Sequence, residues 1–476
     1  MCSFIFTNRR ILEKNLAWIG ELIARRGPDY THRVEHEGFE YVHYLLSITG
    51  EFRPQPFCNN NNDQRLLYNG QIYNYLELGS KLNLEPKSDG DVLLPLYQTQ
   101  GVNFISALDG EFAVVLVDHA ENLILASTDC FGTKPIWYAI DIDKKEISIA
   151  SYASALLRLG FSHPVRIPAN TTVIFNLKTK EIVKTFRPYE FSLVQKVEHY
   201  DYWMESFEVA IKKRTQGVRE KLFMGLSSGY DSGCIAAAVS GLNISIKAYS
   251  VLSKENKKIL KSRRAILENS VLIKMSTDDF VAAENIINMQ VEPFELVEKK
   301  SNGSEYKYNL ANDAAARGMV RILQEARAND FKIFLSGQGA DEITSDYGFM
   351  GRAFAPNSEL KGVFPEDLTQ VFPWPNFYGG YQTAYLHKEE HVGGAFGIES
   401  RYPFLDRALV QAFLNLKSDL KNSHYKAPLR AYLLEKKFPF DENKKIGFCA
   451  HKNLKGNLFN KFKKYLGLKN FKNIPQ

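Results

Sequence analysis

Serine, glycine and aspartate lie between an apolar run and a stretch of small residues in the segment Leu226-Ser-Ser-Gly-Tyr-Asp-Ser-Gly233. A strand, a Ser/Gly turn and a helix start would aim backbone N–H groups and the positive helix end at one point, which suits phosphate oxygens. The hydroxyl groups of Ser227 and Ser232 can add donors. Asp231 would repel a phosphate unless a divalent cation lay between them, so its presence favours Mg²⁺. The segment contains no lysine, which excludes a Walker A loop.

A second acidic turn, Leu335-Ser-Gly-Gln-Gly-Ala-Asp-Glu342, follows another apolar run. The carboxyl ends of the strands in a parallel sheet face the same crevice, where ligands bind. We therefore predict that Asp231 and Asp341 hold one metal ion between them. Either turn alone would more often be an ordinary loop and helix cap.

A cysteine stands at position 2 of the chain. Removal of the initiator methionine would leave a thiol and a free α-amine on Cys2. The amine, with a reference pKa of about 7.7 to 8.0, could then act as the base that activates the thiol. A lone cysteine is more often a small apolar residue, so this hypothesis depends on companion residues.

Composition limits the class of protein. The chain has 476 residues, of which 45% are hydrophobic and 24% charged, and this is typical of a globular protein with two domains. The net charge of +6 is spread along the chain, and for the lysine-rich stretch 461–472 a solvated surface is favoured over nucleic-acid binding. The five cysteines are far apart and lack metal-ligand spacing, which favours a reducing compartment.

Partners and location follow from the same features. No apolar stretch approaches the length of a membrane span. We expect a cytoplasmic protein with neither a nucleic-acid nor a membrane partner. The oligomeric state stays open, with a homodimer as one option.

The pattern of the chain changes between Pro188 and Tyr200, which predicts two domains, 1–190 and 198–476. Short alternating apolar runs predict a strand-rich first domain. In the second domain predicted strands alternate with predicted helices, which indicates a parallel sheet covered on both faces. The predicted strands are 221–226, 244–251 and 331–335, and the predicted helices are 202–219, 233–239 and 312–328.

Five segments of the second domain resemble, in order, motifs of the asparagine synthetase family. They are Ser227-Ser-Gly-Tyr-Asp-Ser232 (SGGxDS), Ser336-Gly-Gln-Gly-Ala-Asp-Glu342 (SGEGxDE), Gly397-Ile-Glu-Ser-Arg-Tyr-Pro-Phe-Leu-Asp406 (GxExRxPFLD), Lys426-Ala-Pro-Leu-Arg430 (KxxLR) and Asn443-Lys-Lys-Ile-Gly-Phe448 (RxKxGF). The resemblance implies that a carboxylate attacks the α-phosphate of ATP, that pyrophosphate leaves, and that an amine attacks the acyl-adenylate.

The resemblance also implies residue roles by motif position. Pyrophosphate would be held by Ser227, Gly229, Asp231 and Ser232, the nucleotide by Val251, Ser336 and Gly337, and Mg²⁺ by Asp231 and Asp341. Lys445 would face the negative charge that both half-reactions build on oxygen. Gln338 would lie beside the acyl substrate.

Four segments of the first domain resemble motifs of the N-terminal-nucleophile glutaminase domain. They are Arg26-Gly-Pro-Asp29 (RGPD), Tyr68-Asn-Gly-Gln-Ile-Tyr-Asn74 (NGEIYN), Ser88-Asp-Gly-Asp-Val92 (SDxEV) and Thr128-Asp-Cys-Phe-Gly-Thr-Lys-Pro135 (RDxxGxKP). The resemblance implies glutamine hydrolysis at Cys2, with the Asn69 side chain and the Gly70 N–H as the oxyanion hole. Asp89 would contact the glutamine amino group, and ammonia would travel through the protein to the adenylate.

Three substitutions fall at positions expected to recognise substrates. In His43-Tyr-Leu-Leu-Ser47, Leu45 stands in place of the arginine that clamps the glutamine α-carboxylate, and leucine cannot replace a bidentate charged donor. Gln71 replaces the glutamate of NGEIYN, and Arg53 is a candidate to compensate for these losses in glutamine binding. Gln338 replaces the first glutamate of SGEGxDE, and a neutral amide cannot act as a carboxylate base. We therefore expect an acyl substrate other than aspartate, such as a sugar uronic acid or a biosynthetic intermediate.

The expected fold is an N-terminal Ntn-hydrolase αββα sandwich of the class II glutamine amidotransferase type, followed by an α/β ATP pyrophosphatase domain. The expected function is ATP- and Mg²⁺-dependent conversion of a small carboxylate to an amide with ammonia from glutamine, which releases AMP and pyrophosphate. One alternative is an intramolecular cyclase, similar to β-lactam-forming or peptide-cyclising relatives, whose first domain is scaffold. A second alternative is a non-catalytic nucleotide-binding protein.

Overall fold

Alternating apolar residues build two antiparallel sheets in the front half of the computed structural model, which describes residues 2–252, 255–299 and 305–442. In the N-terminal strand, Phe4 and Phe6 point into the core between the sheets and Ile5 points outward. In spatial order the first sheet contains Val165–Arg166, Trp137–Asp141, Glu146–Ala150, Ser3–Thr7, Phe39–Leu45 and Tyr30–His36. The second contains Ile182–Phe186, Thr172–Asn176, Leu123–Thr128, Gly110–Asp118, Gln64–Ile72 and Phe57–Cys58.

Helices cover the outer face of each of these sheets. Glu13–Ile19 and Ala153–Arg158 pack on the first sheet, and Tyr75–Lys81 and Leu93–Gln100 pack on the second. The four layers confirm the predicted αββα sandwich.

The back half contains a sheet of five parallel strands. In spatial order they are Ser270–Ile273, Lys247–Val251, Lys221–Gly225, Phe331–Leu335 and Glu399–Arg401. Within the described residues the helices of this half are Asp201–Thr215, Tyr230–Gly241, Lys257–Leu267, Thr277–Gln290, Ala314–Ala328, Ala340–Thr344, Pro375–Tyr378, Gly380–Ala395, Arg407–Asn415, Ser418–Asn422 and Ala427–Glu435. Apolar side chains of neighbouring strand positions enter two different cores, Met224 on one face and Phe223 on the other. The sheet is therefore covered on both faces, as predicted.

Shorter elements complete the described chain. Two small ladders pair Glu295–Lys299 with Glu305–Asn309 and Gly348–Phe349 with Arg352–Ala353. Single 3₁₀ turns lie at Ile23–Arg26, Asp89–Val92, Gly101–Ala107, Leu310–Asn312, Leu368–Gln370 and Pro403–Leu405. No helix of the described chain combines the length and the apolar character that crossing a membrane requires.

Two helix boundaries differ from the predicted ones for local reasons. The helix predicted at 312–328 begins at Ala314, because the Asp313 side chain accepts a hydrogen bond from the Ala315 N–H at 2.8 Å and caps it. The helix predicted at 202–219 ends at Thr215, and Gly217 soon after it has a φ of +68°. That conformation stops a helix, and glycine adopts it without strain.

A buried network of charges joins the two halves, and we call it the interdomain ion cluster. Its members are Arg26, Glu111 and Lys134 of the front half and Arg214, Glu390 and Asp406 of the back half. Glu390 binds Arg26 at 2.7 Å and Lys134 at 2.8 Å. Arg214 binds Glu111 at 2.8 Å and Asp406 at 3.0 Å. Each side chain is at most 2% exposed, and the three cations and three anions balance.

Removing one charge from this cluster should destabilise the fold. Glu390→Gln leaves two buried cations short of a counter-charge, so we expect the free energy of unfolding in urea to fall by about 3–5 kcal/mol. The control is Glu77→Gln in the Lys81–Glu77 pair, whose side chains are 68% and 61% exposed. That change should cost less than about 0.5 kcal/mol, and equal losses for the two variants would contradict the assignment.

Candidate functional site

The Cys2 thiol lies at the start of the N-terminal strand of the front half. Its Sγ is 3.5 Å from the Leu46 N and 3.7 Å from the Leu46 carbonyl oxygen. Burial raises the pKa of the thiol to about 11. The thiol is therefore protonated at neutral pH, and a base must take its proton before it can react as a nucleophile.

Asn69 and Gly70 lie on the strand Gln64–Ile72, next to Tyr68. Burial and the neighbouring Asp89 raise the pKa of Tyr68, with a smaller contribution from Cys2. Asn69 is fully buried, and neither its Oδ1 nor its Nδ2 makes a hydrogen bond within the described part of the chain. An unpaired buried amide is costly, so its presence indicates a ligand that is polar at this point. Gly70 has a φ of +144°, and a Cβ there would lie 2.0 Å from the Glu111 carbonyl oxygen.

Asp89 is buried beside these residues. Its carboxylate accepts hydrogen bonds from the Tyr68 hydroxyl and, at 2.9 Å, from the Ile72 N–H. Burial raises the pKa of Asp89 to about 6. Arg53 lies next to the same turn, with Nη2 3.5 Å from Asp91 Oδ2, and its side chain is 42% exposed. Arg53 therefore lies beside the turn Asp89–Val92 that carries Asp89.

Gln71 is tied to the back half. Its Oε1 accepts hydrogen bonds from the Thr49 hydroxyl at 2.6 Å and from Arg401 Nη2 at 3.2 Å. Arg401 also donates to Glu399 at 2.8 Å, and although burial opposes it, this pairing holds the pKa of Glu399 down at about 2. Glu399 in turn raises the pKa of Cys2. The edge strand Glu399–Arg401 of the back sheet therefore lies against the front site.

A cavity of about 380 Å³ opens at the carboxyl ends of the strands Lys221–Gly225 and Phe331–Leu335. Eight of the predicted site residues line it: Ser227, Gly229, Asp231, Ser232, Ser336, Gly337, Gln338 and Asp341. Val251 does not line it, because its side chain packs into the apolar core that contains Ile273 and Phe280. Lys445 lies outside the described residues.

The loop Ser227–Ser232 is held in place by charged side chains around it. Arg263 Nη1 donates to the carbonyl oxygens of Ser227 and Gly229, each at 2.7 Å. Glu255 accepts from the Ser228 N–H at 2.6 Å. The helix Tyr230–Gly241 begins without a side-chain cap. Arg263 thus fixes the loop by satisfying its carbonyl groups. The N–H groups of the first helical turn have no side-chain cap and are available to an anion.

Lys426 lies between the two predicted metal ligands. Its Nζ is 2.5 Å from Asp231 Oδ1 and 3.0 Å from Asp341 Oδ2. Burial works against its charge, yet the two aspartates raise the pKa of Lys426 above its ordinary value. The two carboxylates thus share one cation, and the same geometry suits Mg²⁺, which takes one or two carboxylates and completes its shell with phosphate oxygens. Within the described residues no group of three acidic, histidine or cysteine side chains could hold a metal unaided.

The other end of the cavity carries charges that motif reasoning missed. Lys388 binds Asp313 at 3.0 Å. Glu389 is buried, which raises its pKa, and the neighbouring side chains of Ser336 and Gln338 lower that pKa in part. Lys388 and Glu389 lie on the helix Gly380–Ala395, where four consecutive charged or histidine residues, 388–391, are all buried. A run of ionisable residues is ordinarily a solvated face, so the sequence alone gives no sign of this site.

Comparisons with known proteins agree with this geometry. A family model described as a glutamine amidotransferase domain matches residues 1–197, and one described as asparagine synthase matches 203–366 and 376–467. A probable glutamine-hydrolysing asparagine synthetase of Acanthamoeba polyphaga mimivirus is 26% identical over 84% of this chain and 74% of its own. A putative asparagine synthetase of Methanocaldococcus jannaschii is 26% identical over 80% of this chain and 70% of its own.

The solved structure of a glutamine phosphoribosylpyrophosphate amidotransferase from B. subtilis aligns with 87% of this chain and with 92% of its own chain. The sequence identity is 13% and the TM-score is 0.34. The family models cover the two halves separately, and the second extends over more than half of the chain. The chain therefore belongs to the asparagine synthase family, with a glutamine amidotransferase domain in front of the synthase domain.

Proposed function

We propose that this protein is an ATP- and Mg²⁺-dependent amidotransferase that adenylates a carboxylate and converts it to an amide with ammonia from glutamine. The observation that carries this proposal is the pair Asp231 and Asp341, which line the cavity beside the loop Ser227–Ser232 and share the ammonium group of Lys426. Two carboxylates next to uncapped helix N–H groups suit a metal-bound polyphosphate. Membership of the family supports the same conclusion.

In the back half the acid's carboxylate oxygen attacks the α-phosphorus of ATP, and pyrophosphate leaves. The N–H groups of the loop and the hydroxyls of Ser227 and Ser232 bind the pyrophosphate oxygens. Mg²⁺, held by Asp231 and Asp341, would neutralise the charge that develops on those oxygens. Lys426 brings a second positive charge to the same place. We assign Lys445 the same kind of role toward the transition state.

In the front half we assign the nucleophile to Cys2. Once Met1 is removed, the α-amine of Cys2 takes the thiol proton, the sulfur attacks the side-chain carbonyl carbon of glutamine, and the amine returns the proton to the nitrogen that leaves as ammonia. Water then releases glutamate. The Asn69 Nδ2 and the Gly70 N–H would donate to the oxyanion. The Asn69 amide makes no hydrogen bond to any described residue, which supports this assignment.

Glutamine recognition is assigned to Asp89 for the ammonium and to Arg53 for the α-carboxylate, since Leu45 cannot bind an anion. Gln71 would bridge the glutamine site to the back half through Arg401. The neutral Gln338 favours an acid other than aspartate, such as a sugar uronic acid. The alternative of an intramolecular cyclase would need no external nitrogen.

The two halves should fail independently. Asp231→Asn should lower ATP–pyrophosphate exchange by at least about 100-fold and leave glutamate release from glutamine intact, because it removes one of two metal ligands. Cys2→Ala should abolish glutamate release and leave exchange and ammonia-dependent amide formation intact. Exchange is measured with L-aspartate, L-glutamate and D-glucuronate in turn.

The same assays separate the alternatives. A wild-type protein that exchanges pyrophosphate but releases no glutamate would favour the cyclase. A wild-type protein that neither exchanges nor releases pyrophosphate with any acid would favour a nucleotide-binding protein without catalysis.

Arg53 should control the affinity for glutamine. Arg53→Gln should raise the KM for glutamine by about 10- to 100-fold, because a charge-assisted hydrogen bond contributes roughly 1.5 to 3 kcal/mol. The kcat for glutamate release should change little. Arg10→Gln, an exposed arginine of the same half, is the control. An unchanged KM for Arg53→Gln would show that another residue binds the glutamine carboxylate.

Asn69 should be needed for activity but not for stability. Asn69→Leu removes a buried amide that has no described partner, so the free energy of unfolding should stay level or rise by about 1–3 kcal/mol. Glutamate release should fall by about 100-fold or more through loss of an oxyanion donor.

Asn376 is the matched control for Asn69. It is equally buried, but it bonds Asp346 at 2.7 Å and the Tyr381 N–H at 2.9 Å. Asn376→Leu should destabilise the protein by about 1–3 kcal/mol. If both variants lose stability alike, the Asn69 amide has a structural partner and the oxyanion role fails.

A further inference from the structure

The cavity wall contains one carboxylate without a lysine bound to it. Of the four carboxylates that line the cavity in the described chain, Asp231 and Asp341 bind Lys426, and Asp313 binds Lys388. The fourth, Glu389, is 7% exposed, and its neighbours are instead the neutral side chains of Ser336 and Gln338, which lower its pKa against the effect of burial. Its Oε2 is buried and makes no hydrogen bond to any described residue.

A buried carboxylate oxygen without a donor is costly, and natural structures seldom keep one without a reason. Glu389 lines a cavity large enough for a substrate. Its carboxylate can therefore accept a hydrogen bond, or a proton, from a group that enters the cavity.

The position of Glu389 matches the side from which the amine arrives. The next residue, Glu390, bonds Arg26 and Lys134 in the interdomain ion cluster. The helix Gly380–Ala395 thus presents one glutamate to the cavity and the next to the front half. Ser336, which neighbours Glu389, also receives support from the edge strand, since its N–H donates to the Arg401 carbonyl at 2.9 Å. That strand lies against the Cys2 site.

We infer that Glu389 is a catalytic residue of the amide-forming step, and that its carboxylate accepts the proton lost by the attacking nitrogen while Gln338 holds it in place. This inference rests on the proposed function. The lone pair of ammonia forms the C–N bond to the acyl carbon, and the C–O bond to AMP breaks with its electron pair on the phosphate oxygen. One N–H proton passes to Glu389 and then to solvent, so the products are the amide, AMP and one proton.

Glu389 thereby restores a carboxylate that the motif lacks. Gln338 stands where the motif has glutamate, and an amide cannot take a proton at neutral pH. The structure brings a carboxylate to the same place from a different element, and Gln338 becomes its hydrogen-bond donor. Burial raises the pKa of Glu389 to about 7, a suitable value for a base that works near neutral pH.

The step should depend on pH in one direction. The charged and titratable groups that face Glu389 are Lys388 and Glu390 on its own helix, Tyr402 on the segment after the edge strand, and Asp313 and Asp341 across the cavity. Because the base must be deprotonated, the rate of amide formation should rise as pH increases through about 7. A variant without the carboxylate should lack that rise.

The test compares the two half-reactions in the full-length protein. The amine probe is ammonium chloride, added at each pH in the amount that keeps the concentration of free ammonia constant, because the ammonia fraction itself rises with pH. The acid probe is whichever of L-aspartate, L-glutamate and D-glucuronate gives the largest ATP–pyrophosphate exchange. Glu389→Gln should keep exchange within about threefold of the wild type and lower amide formation by about 100-fold, the range expected for loss of a general base. Its amide formation should also lose the rise with pH near 7.

Glu292→Gln is the matched control. Glu292 is another buried glutamate whose pKa burial raises to about 7, but it bonds Ser154 at 2.9 Å and does not line the cavity. This variant should retain both half-reactions and the pH dependence.

A second variant keeps the inference testable if Glu389→Gln does not fold. Gln338→Leu removes a hydrogen bond that lowers the pKa of Glu389, so the rise of amide formation should move to higher pH. A pH dependence that stays in place would overturn the inference.

Three further outcomes would also overturn it. If Glu389→Gln loses exchange as severely as amide formation, Glu389 binds the acid and is not the base, while the proposed function stands. If amide formation is unchanged, Glu389 has no role in this step. If the wild type shows no exchange with any of the three acids, the proposed function fails and the inference fails with it.

Discussion

The interdomain ion cluster is the interaction on which the rest of the structure depends. Each of its six side chains is at most 2% exposed, so none can find water if its partner leaves. Attraction between buried charges offsets their loss of hydration only when every partner is present. Because the partners come from both halves, each half completes the charge balance of the other. The relative position of the Cys2 site and the cavity is fixed by this requirement.

The cluster also accounts for several motif residues, of which Arg26 in addition donates to the Cys2 carbonyl oxygen at 3.4 Å. Arg26 and Lys134 belong to motifs of the front half, and Asp406 belongs to a motif of the back half. Their side chains pair across the boundary. The neighbouring strand Glu399–Arg401 contacts Gln71 in the front half and Ser336 beside the cavity. A few elements thus connect the Cys2 site to the cavity.

Much of this architecture could be predicted from local patterns. The strands 221–226 and 331–335 were visible as apolar runs, and the turns after them were visible as Ser, Gly and Asp clusters. From the sequence, Lys426 could be identified only by its position in the KxxLR motif. Its place between Asp231 and Asp341 depends on a helix nearly 200 residues away from the first aspartate. The place of Val251 near the nucleotide stays a prediction, and its side chain packs into the core and does not line the cavity. Burial and ion pairing are tertiary properties that spacing does not encode.

The neutral substitutions show how charge is redistributed in such a protein. Gln71 replaces a carboxylate, and Arg401 then has Glu399 as its anionic partner at 2.8 Å while it gives Gln71 a neutral hydrogen bond. Gln338 replaces a second carboxylate, and Glu389 approaches the same position from another helix. At both positions the motif residue is neutral, and a carboxylate from a different element lies nearby. The chemistry of a site is therefore set by the sum of the groups that face it, and a motif read by itself underestimates what the folded site can do.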